Sequence, residues 1–164
     1  MIEATTDELL GYLADVIERA ERYGATVEPP NDAPEVEWHR VGDDLLMELN
    51  IRPPVDGRTR AHITLQERWR PIIQDRWELA EYSYELRDFH LDYRRALHQH
   101  DLDYFVRRFG VSSHEHCEAV MGRETCGHYA GAPRYGALDG LDRLYVVWTA
   151  GVKPECSRLR CLED

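Results

Sequence analysis

Residues 45–51 read Leu-Leu-Met-Glu-Leu-Asn-Ile, the clearest strand pattern in the chain. Apolar side chains occupy every second position, at Leu45, Met47, Leu49 and Ile51. The positions between them hold Leu46, Glu48 and Asn50. A period of two is typical of a β-strand with one buried and one polar face. The stretch therefore predicts a strand of a sheet that covers a core on one side.

Similar patterns lie on both sides of this stretch, at 36–40, 61–65 and 77–86. In the last of these, Tyr82, Tyr84 and Leu86 fall on one face. Short turn sequences separate the runs, including Gly42-Asp43-Asp44 and Asp56-Gly57, and Pro53-Pro54 ends the second run. Strands joined by such short connections pair antiparallel. We expect an antiparallel sheet of four or five strands.

The N-terminal region predicts a helix over residues 5–24. Thr5 and Glu8 have the spacing of a capping box, and Gly24 is a natural stop. The apolar positions recur at helical spacing; they are Leu9, Leu13, Val16, Ala20 and Tyr23, joined by Leu10 and Ile17. Residues 25–35 are rich in turn formers and predict a linker.

Two further helical regions are predicted in the second half of the chain. Residues 88–109 are typical of a helical insertion with Asp88 and Asp101 as caps. In this interpretation His98 and His100 lie at a polar helix end. A short strand at 111–114 follows, and a last helix opens at Asp139 or Asp142.

The expected fold class is therefore α+β, in one domain that spans residues 1–164. It divides into an N-terminal helix at 1–24, the sheet with its helical insertion at 36–116, and a cysteine- and histidine-rich segment at 117–164.

The bulk composition limits the function classes. The net charge is −11, which disfavours generic nucleic-acid binding because phosphate backbones are repelled. No apolar run approaches the roughly 20 residues of a membrane span, and the acidic, polar N-terminus does not resemble a secretory signal. We expect a cytoplasmic protein that does not enter a membrane.

Four cysteines in the last third predict a structural zinc site. They are Cys117, Cys126, Cys156 and Cys161, with His116 and His128 as alternate ligands. Zinc binds four such ligands tetrahedrally, and disulfides are rare in the cytosol. The spacing is not that of paired CxxC motifs, so two alternatives stay open: buried thiols without metal, and cysteines with redox or disulfide chemistry.

The candidate catalytic residues are His114, His116, Tyr84, Arg87 and Arg107. A histidine could act as a general base and an arginine could clamp a phosphate, if the fold brings them together. The same residues could also form a polar sheet face with solvated ion pairs. Sequence spacing alone does not separate these two interpretations.

Residues 77–117 resemble small bacterial domains of the TumE type, the toxins of toxin–antitoxin pairs. The resemblance is carried by Trp77, Tyr82, Tyr84, Glu85, Leu86, Arg108, His114 and His116. It implies a small antiparallel sheet with a packed helix, and a ribonuclease activity. The helical region at 88–109 and the cysteine-rich extension depart from this pattern.

The sequence favours a cytoplasmic, non-catalytic protein with a structural zinc site that acts by protein–protein interaction. The partner is unidentified, and self-association is a further possibility to test. The alternative is a small nuclease-like enzyme that uses His114 or His116 with nearby arginines.

Overall fold

The computed structural model describes residues 2–30, 36–54, 61–99, 106–107, 110, 112–118, 120–121, 130–131 and 135–149. Within these ranges one antiparallel sheet of nine strands packs against two helices. The strands are β1 (Glu3–Thr5), β2 (Thr26–Glu28), β3 (His39–Val41), β4 (Asp44–Arg52), β5 (Ala61–Ile73), β6 (Arg76–Asp88), β7 (Tyr93–Gln99), β8 (Ser113–Glu118) and β9 (Ala130–Gly131). The helices are α1 (Thr6–Arg22) and α2 (Ala137–Thr149).

The central path of the sheet runs β2-β4-β5-β6-β7-β8-β9. Strand β3 pairs with β4, and β1 pairs with β6. The longest ladder joins β5 to β6, with a register shift between Arg68 and Trp69. The α+β class and the antiparallel sheet are confirmed, whereas the expected four or five strands are too few.

Residues directly opposite each other on neighbouring strands share one face of a sheet. The face toward the helices carries the apolar set predicted from the period of two. Its buried members include Met47, Leu49, Ile51, Leu65, Tyr84 and Leu86. Helices α1 and α2 both cover this face and contact each other, so the core lies between one sheet and one helical layer.

Helix α1 begins as predicted. Thr5 is its N-cap, and the capping box with Glu8 is formed in both directions. The buried residues are Leu9, Leu13, Val16 and Ala20. Leu10 differs from the prediction, because it is 60% exposed on the outer side of the helix.

The largest difference from the sequence prediction lies at 88–99. Asp88 is the last residue of β6, residues 89–92 form a turn and strand β7 follows, so the segment is not a helix. Its residues include good helix formers, but pairing with both β6 and β8 supplies ladder hydrogen bonds that local propensity cannot match. Of the second predicted helical segment, residues 106–107 are helical and most of the rest lies outside the described residues.

The predicted linker at 25–35 contains strand β2, whose backbone pairs with β4. The strand predicted at 111–114 is β8, which continues to Glu118. The last helix begins at Ala137, before either predicted cap. Among the described helices, none has the length and apolar character needed to cross a membrane.

Candidate functional site

The candidate site is the sheet face opposite the helices, called here the outer face. A row of polar residues crosses it from β4 to β8, each opposite the next in the register: Glu48, Gln66, Ser83, His98 and His114. Two histidines stand side by side at the β7–β8 end of this row.

His98 and His114 form a cross-strand imidazole pair. Their ring centroids lie 5.5 Å apart and the rings are stacked with an interplanar angle of 21°. His114 is 3% exposed, whereas His98 is partly exposed. Two imidazolium charges at this separation would repel each other.

A groove of about 330 Å³ lies across strands β4 to β7. Its lining includes Glu48, Gln66 and Ser83 of the polar row, and also Arg68 and Glu81. Ser83 is the register partner of His98, so the groove lies next to the row of the imidazole pair, and neither imidazole lines it. Its volume falls in the range of about 300–1,000 Å³ that is typical of small-molecule sites.

The far end of the outer face carries two arginines, Arg87 and Arg94, directly opposite each other on β6 and β7. Like charges opposite each other destabilise a sheet unless they are neutralised. Glu85 provides this neutralisation by pairing with both arginines, at 2.8 Å from Arg94. Arg94 also pairs with Glu118.

The pKa of the Glu85 carboxyl reflects these opposing effects. Burial raises this pKa, but hydrogen bonds and charges of Arg94 and Arg87 outweigh burial and leave it lowered. Glu85 therefore stays ionised. Nearby, burial lowers the pKa of His62, and the positive charges of Arg52 and Arg87 act in the same direction.

The helix-facing side of the sheet holds a second polar cluster, centred on the buried Glu67. The Tyr12 hydroxyl donates to this carboxylate at 2.7 Å and the Tyr84 hydroxyl at 2.5 Å. The indole N–H of Trp69 donates at 2.7 Å, and the backbone N–H of Ala137 donates at 3.1 Å. The carboxylate thus joins both helices to the sheet.

Burial raises the pKa of Glu67, against the effect of its four donors. Burial also raises the pKa of Tyr84 and Tyr12, and the charge of Glu67 adds to it. Shifted pKa values occur at many functional sites, but also in structural networks. Glu67 is only 3% exposed, and its oxygens are occupied by protein donors, so we interpret the cluster as structural.

The structure places the predicted catalytic residues apart. Tyr84 lies on the helix-facing side of the sheet, and His114 lies on the outer face. Arg87 shares the outer face but lies four residues along β6 from Ser83, about 13 Å at the usual strand rise. His116 lies in β8 with its backbone opposite Ala96, and Arg107 is exposed in the short helical segment.

Of the predicted zinc ligands, only Cys117 and His116 lie in described residues, both in β8. Cys126, His128, Cys156 and Cys161 lie outside them. Among described residues, no three histidine, cysteine, aspartate or glutamate side chains are grouped for metal binding. The zinc site therefore stays a prediction.

Sequence reasoning missed the partner of His114. The spacing around His98 predicts a helix end, and in a helix this side chain would have no neighbour on a later strand. The signal that could have found the pair is the alternation of Tyr93, Arg95, Leu97 and Gln99, all of which are buried.

No family model matches this chain, and no curated protein or solved structure matches it either.

Proposed function

We propose that the chain is a small nuclease-like enzyme that cleaves RNA, with His98 and His114 as its acid–base pair. The observation that supports the proposal is the cross-strand contact of the two imidazoles, with ring centroids 5.5 Å apart. Histidine is the side chain best suited to proton transfer near neutral pH. A neutral imidazole beside an imidazolium would offer a base and an acid at the same time.

The reaction would be a transesterification within the RNA strand. The neutral imidazole removes the proton of a ribose 2′-hydroxyl, and that oxygen attacks the adjacent phosphorus. The bond from phosphorus to the 5′-oxygen breaks, and the imidazolium protonates this leaving oxygen. The products are a 2′,3′-cyclic phosphate and a 5′-hydroxyl, and the pair ends with its single proton transferred from one ring to the other.

The groove beside Ser83 would hold the strand next to the pair. The resemblance of residues 77–117 to TumE-type toxins points to the same activity, although it rests on few residues. The net charge of −11 argues against tight binding to arbitrary RNA, so we expect a restricted set of substrates.

The test is cleavage of a fluorescently labelled single-stranded RNA by the purified chain and by its His98→Ala and His114→Ala variants. Loss of a general acid or base costs roughly 10²- to 10⁴-fold in rate. His62→Ala is the matched control, because His62 is a partly buried histidine of the same face in another register row. Equal cleavage by all four proteins, or none by the wild type across a panel of sequences, would rule the proposal out.

The second candidate function is a cytoplasmic, non-catalytic protein with a structural zinc site that binds a protein partner. The observation that favours it is that Arg87 and Arg94 already hold carboxylate partners on the outer face. An acidic surface with its cations neutralised suits a basic partner, through electrostatic complementarity. This candidate predicts that neither the wild type nor the histidine variants cleave RNA. It also predicts that association with such a partner weakens as the salt concentration rises.

A further inference from the structure

Beside the two arginines, the outer face opens into a cavity of about 460 Å³. Its lining residues are Arg87, Phe89, Arg94, Glu118 and Met121, and we call it the arginine cavity. Among the described residues, the two arginines of the lining are balanced by Glu118 and by Glu85, so the group has a formal charge of 2 − 2 = 0 in a chain whose net charge is −11. The cavity is therefore a local exception to the charge of the molecule.

Arg87 has hydrogen-bonding capacity to spare. Its Nε donates to Glu85, and among the residues that the structure describes its two terminal amino groups make no hydrogen bond. Its side chain is 53% exposed. The planar fork of a guanidinium matches two oxygens of a phosphate, which gives both charge and direction. Glu85 fixes one edge of this fork and leaves the other available.

Phe89 supplies the second chemical feature. It lies in the turn between β6 and β7 and is 53% exposed, so it contributes little to the core. An exposed aromatic ring beside an arginine is an arrangement that stacks nucleobases while the cation holds the phosphate. Met121 completes an apolar wall, and the hydrogen bond from its backbone N–H to Asp92 at 3.2 Å ties it to the same turn.

We propose that the arginine cavity binds one nucleotide of a single-stranded RNA, with the phosphate on Arg87 and the base against Phe89. This inference deepens the proposed function and rests on it for the identity of the strand. The cavity lies about 13 Å along β6 from the row of the imidazole pair, so it would hold a different nucleotide from the one that is cleaved. It would thereby select which phosphodiester reaches the histidines.

The test is binding of a fluorescent hexanucleotide with 2′-O-methyl groups, which lacks the attacking hydroxyl and cannot be cleaved. Fluorescence anisotropy at several salt concentrations compares the wild type with Arg87→Gln and Phe89→Ala. We expect each variant to bind about tenfold more weakly, because a stacked base or a phosphate contact is lost. For Arg87→Gln the slope of log affinity against log salt should also fall by about 0.7, the value for one single-strand phosphate contact.

Two matched controls accompany these variants. Arg76→Gln removes one similarly exposed arginine that pairs with Glu3, and Ile73→Ala truncates one exposed apolar side chain. Both should bind as the wild type does. If Arg87→Gln and Phe89→Ala also bind as the wild type does, or if the wild type does not bind the hexanucleotide, the inference is wrong.

The inference and the proposed function can fail separately. Histidine-dependent RNA cleavage with unchanged binding by Arg87→Gln and Phe89→Ala would overturn the arginine cavity alone. Binding that depends on Arg87 and Phe89, without cleavage of unmodified RNA, would overturn the nuclease and support the nucleotide site.

Discussion

The Glu67 carboxylate of β5 accepts the backbone N–H of Ala137, the first residue of α2, at 3.1 Å. The first N–H groups of a helix have no partner within the helix, and negative charge is favourable at this end. Glu67 therefore caps α2 from the sheet, 70 residues away along the chain. The same carboxylate also accepts a hydrogen bond from the hydroxyl of Tyr12 in α1, so one buried group orients both helices.

Replacing Glu67 with alanine should destabilise the fold strongly. The variant leaves the Trp69 indole N–H and the Tyr12 hydroxyl without the acceptor that they have in the wild type. Each such group costs about 1–3 kcal/mol, so for the two groups we expect a loss of about 2–6 kcal/mol in the free energy of unfolding, measured in urea. Glu48→Ala on the outer face is the control, with an expected change within about 1 kcal/mol. Equal effects of the two variants would contradict the structural role of Glu67.

Glu67 should also make stability depend on pH. Burial raises its pKa above the ordinary value of 4.5, so the folded chain holds this proton more tightly than the unfolded chain. The contribution is complete below pH 4.5 and is lost as pH rises from there through the folded-state pKa. The non-titrating Glu67→Gln variant lacks this loss. Wild-type stability minus variant stability should therefore fall over that pH range, and a constant difference would contradict the raised pKa.

Replacing each of two helical glycines with alanine should change the stability of the fold in opposite directions. A Cβ on Gly140 in α2 would lie 2.3 Å from Cδ2 of Tyr84, whose ring is fully buried. We expect Gly140→Ala to cost about 1–3 kcal/mol through overpacking. A Cβ on Gly11 in α1 would have no neighbour within 4 Å, so Gly11→Ala should stabilise the fold by about 0.5–1 kcal/mol. Thermal unfolding of both variants tests the packing of α2 on β6.

Removing different members of one buried ion-pair group on the helix-facing side should cost different amounts of stability. Glu115 is 3% exposed and pairs with Arg95, which is 7% exposed, and with Arg143, whose side chain is 43% exposed. Glu115→Ala leaves Arg95 buried without its counter-charge, which costs about 3–5 kcal/mol. Arg143→Ala removes a solvent-screened partner and should cost no more than about 1 kcal/mol. Similar losses in urea unfolding for both variants would contradict this ranking.

The predicted zinc site makes a separate test. The purified chain should contain about one zinc per molecule, and chelation should lower its melting temperature, because metal binding contributes to folding. Cys117→Ser and Cys161→Ser should each lose metal and stability, and chelator should then have no further effect. A chain without metal, and unchanged melting temperatures in both variants, would show that the thiols serve another purpose.

The elements that could be predicted from the amino-acid order are those that interactions between nearby residues control. The alternation at 45–51 and in Tyr82, Tyr84 and Leu86 specifies strands because a period of two places one set of side chains on one face. The capping box of Thr5 and Glu8 specifies the start of α1 because its partners are three residues apart.

The remaining features depend on partners that are distant along the chain. Strand β7 contains helix formers and becomes a strand because β6 and β8 both offer it backbone hydrogen bonds. The same pairing brings His98 opposite His114 and Arg87 opposite Arg94, and it turns Tyr84 to the opposite face from His114. Register fixes these neighbours, and a shift of one residue would reverse every face. A candidate site made of cross-strand contacts therefore becomes visible only when the strands are paired.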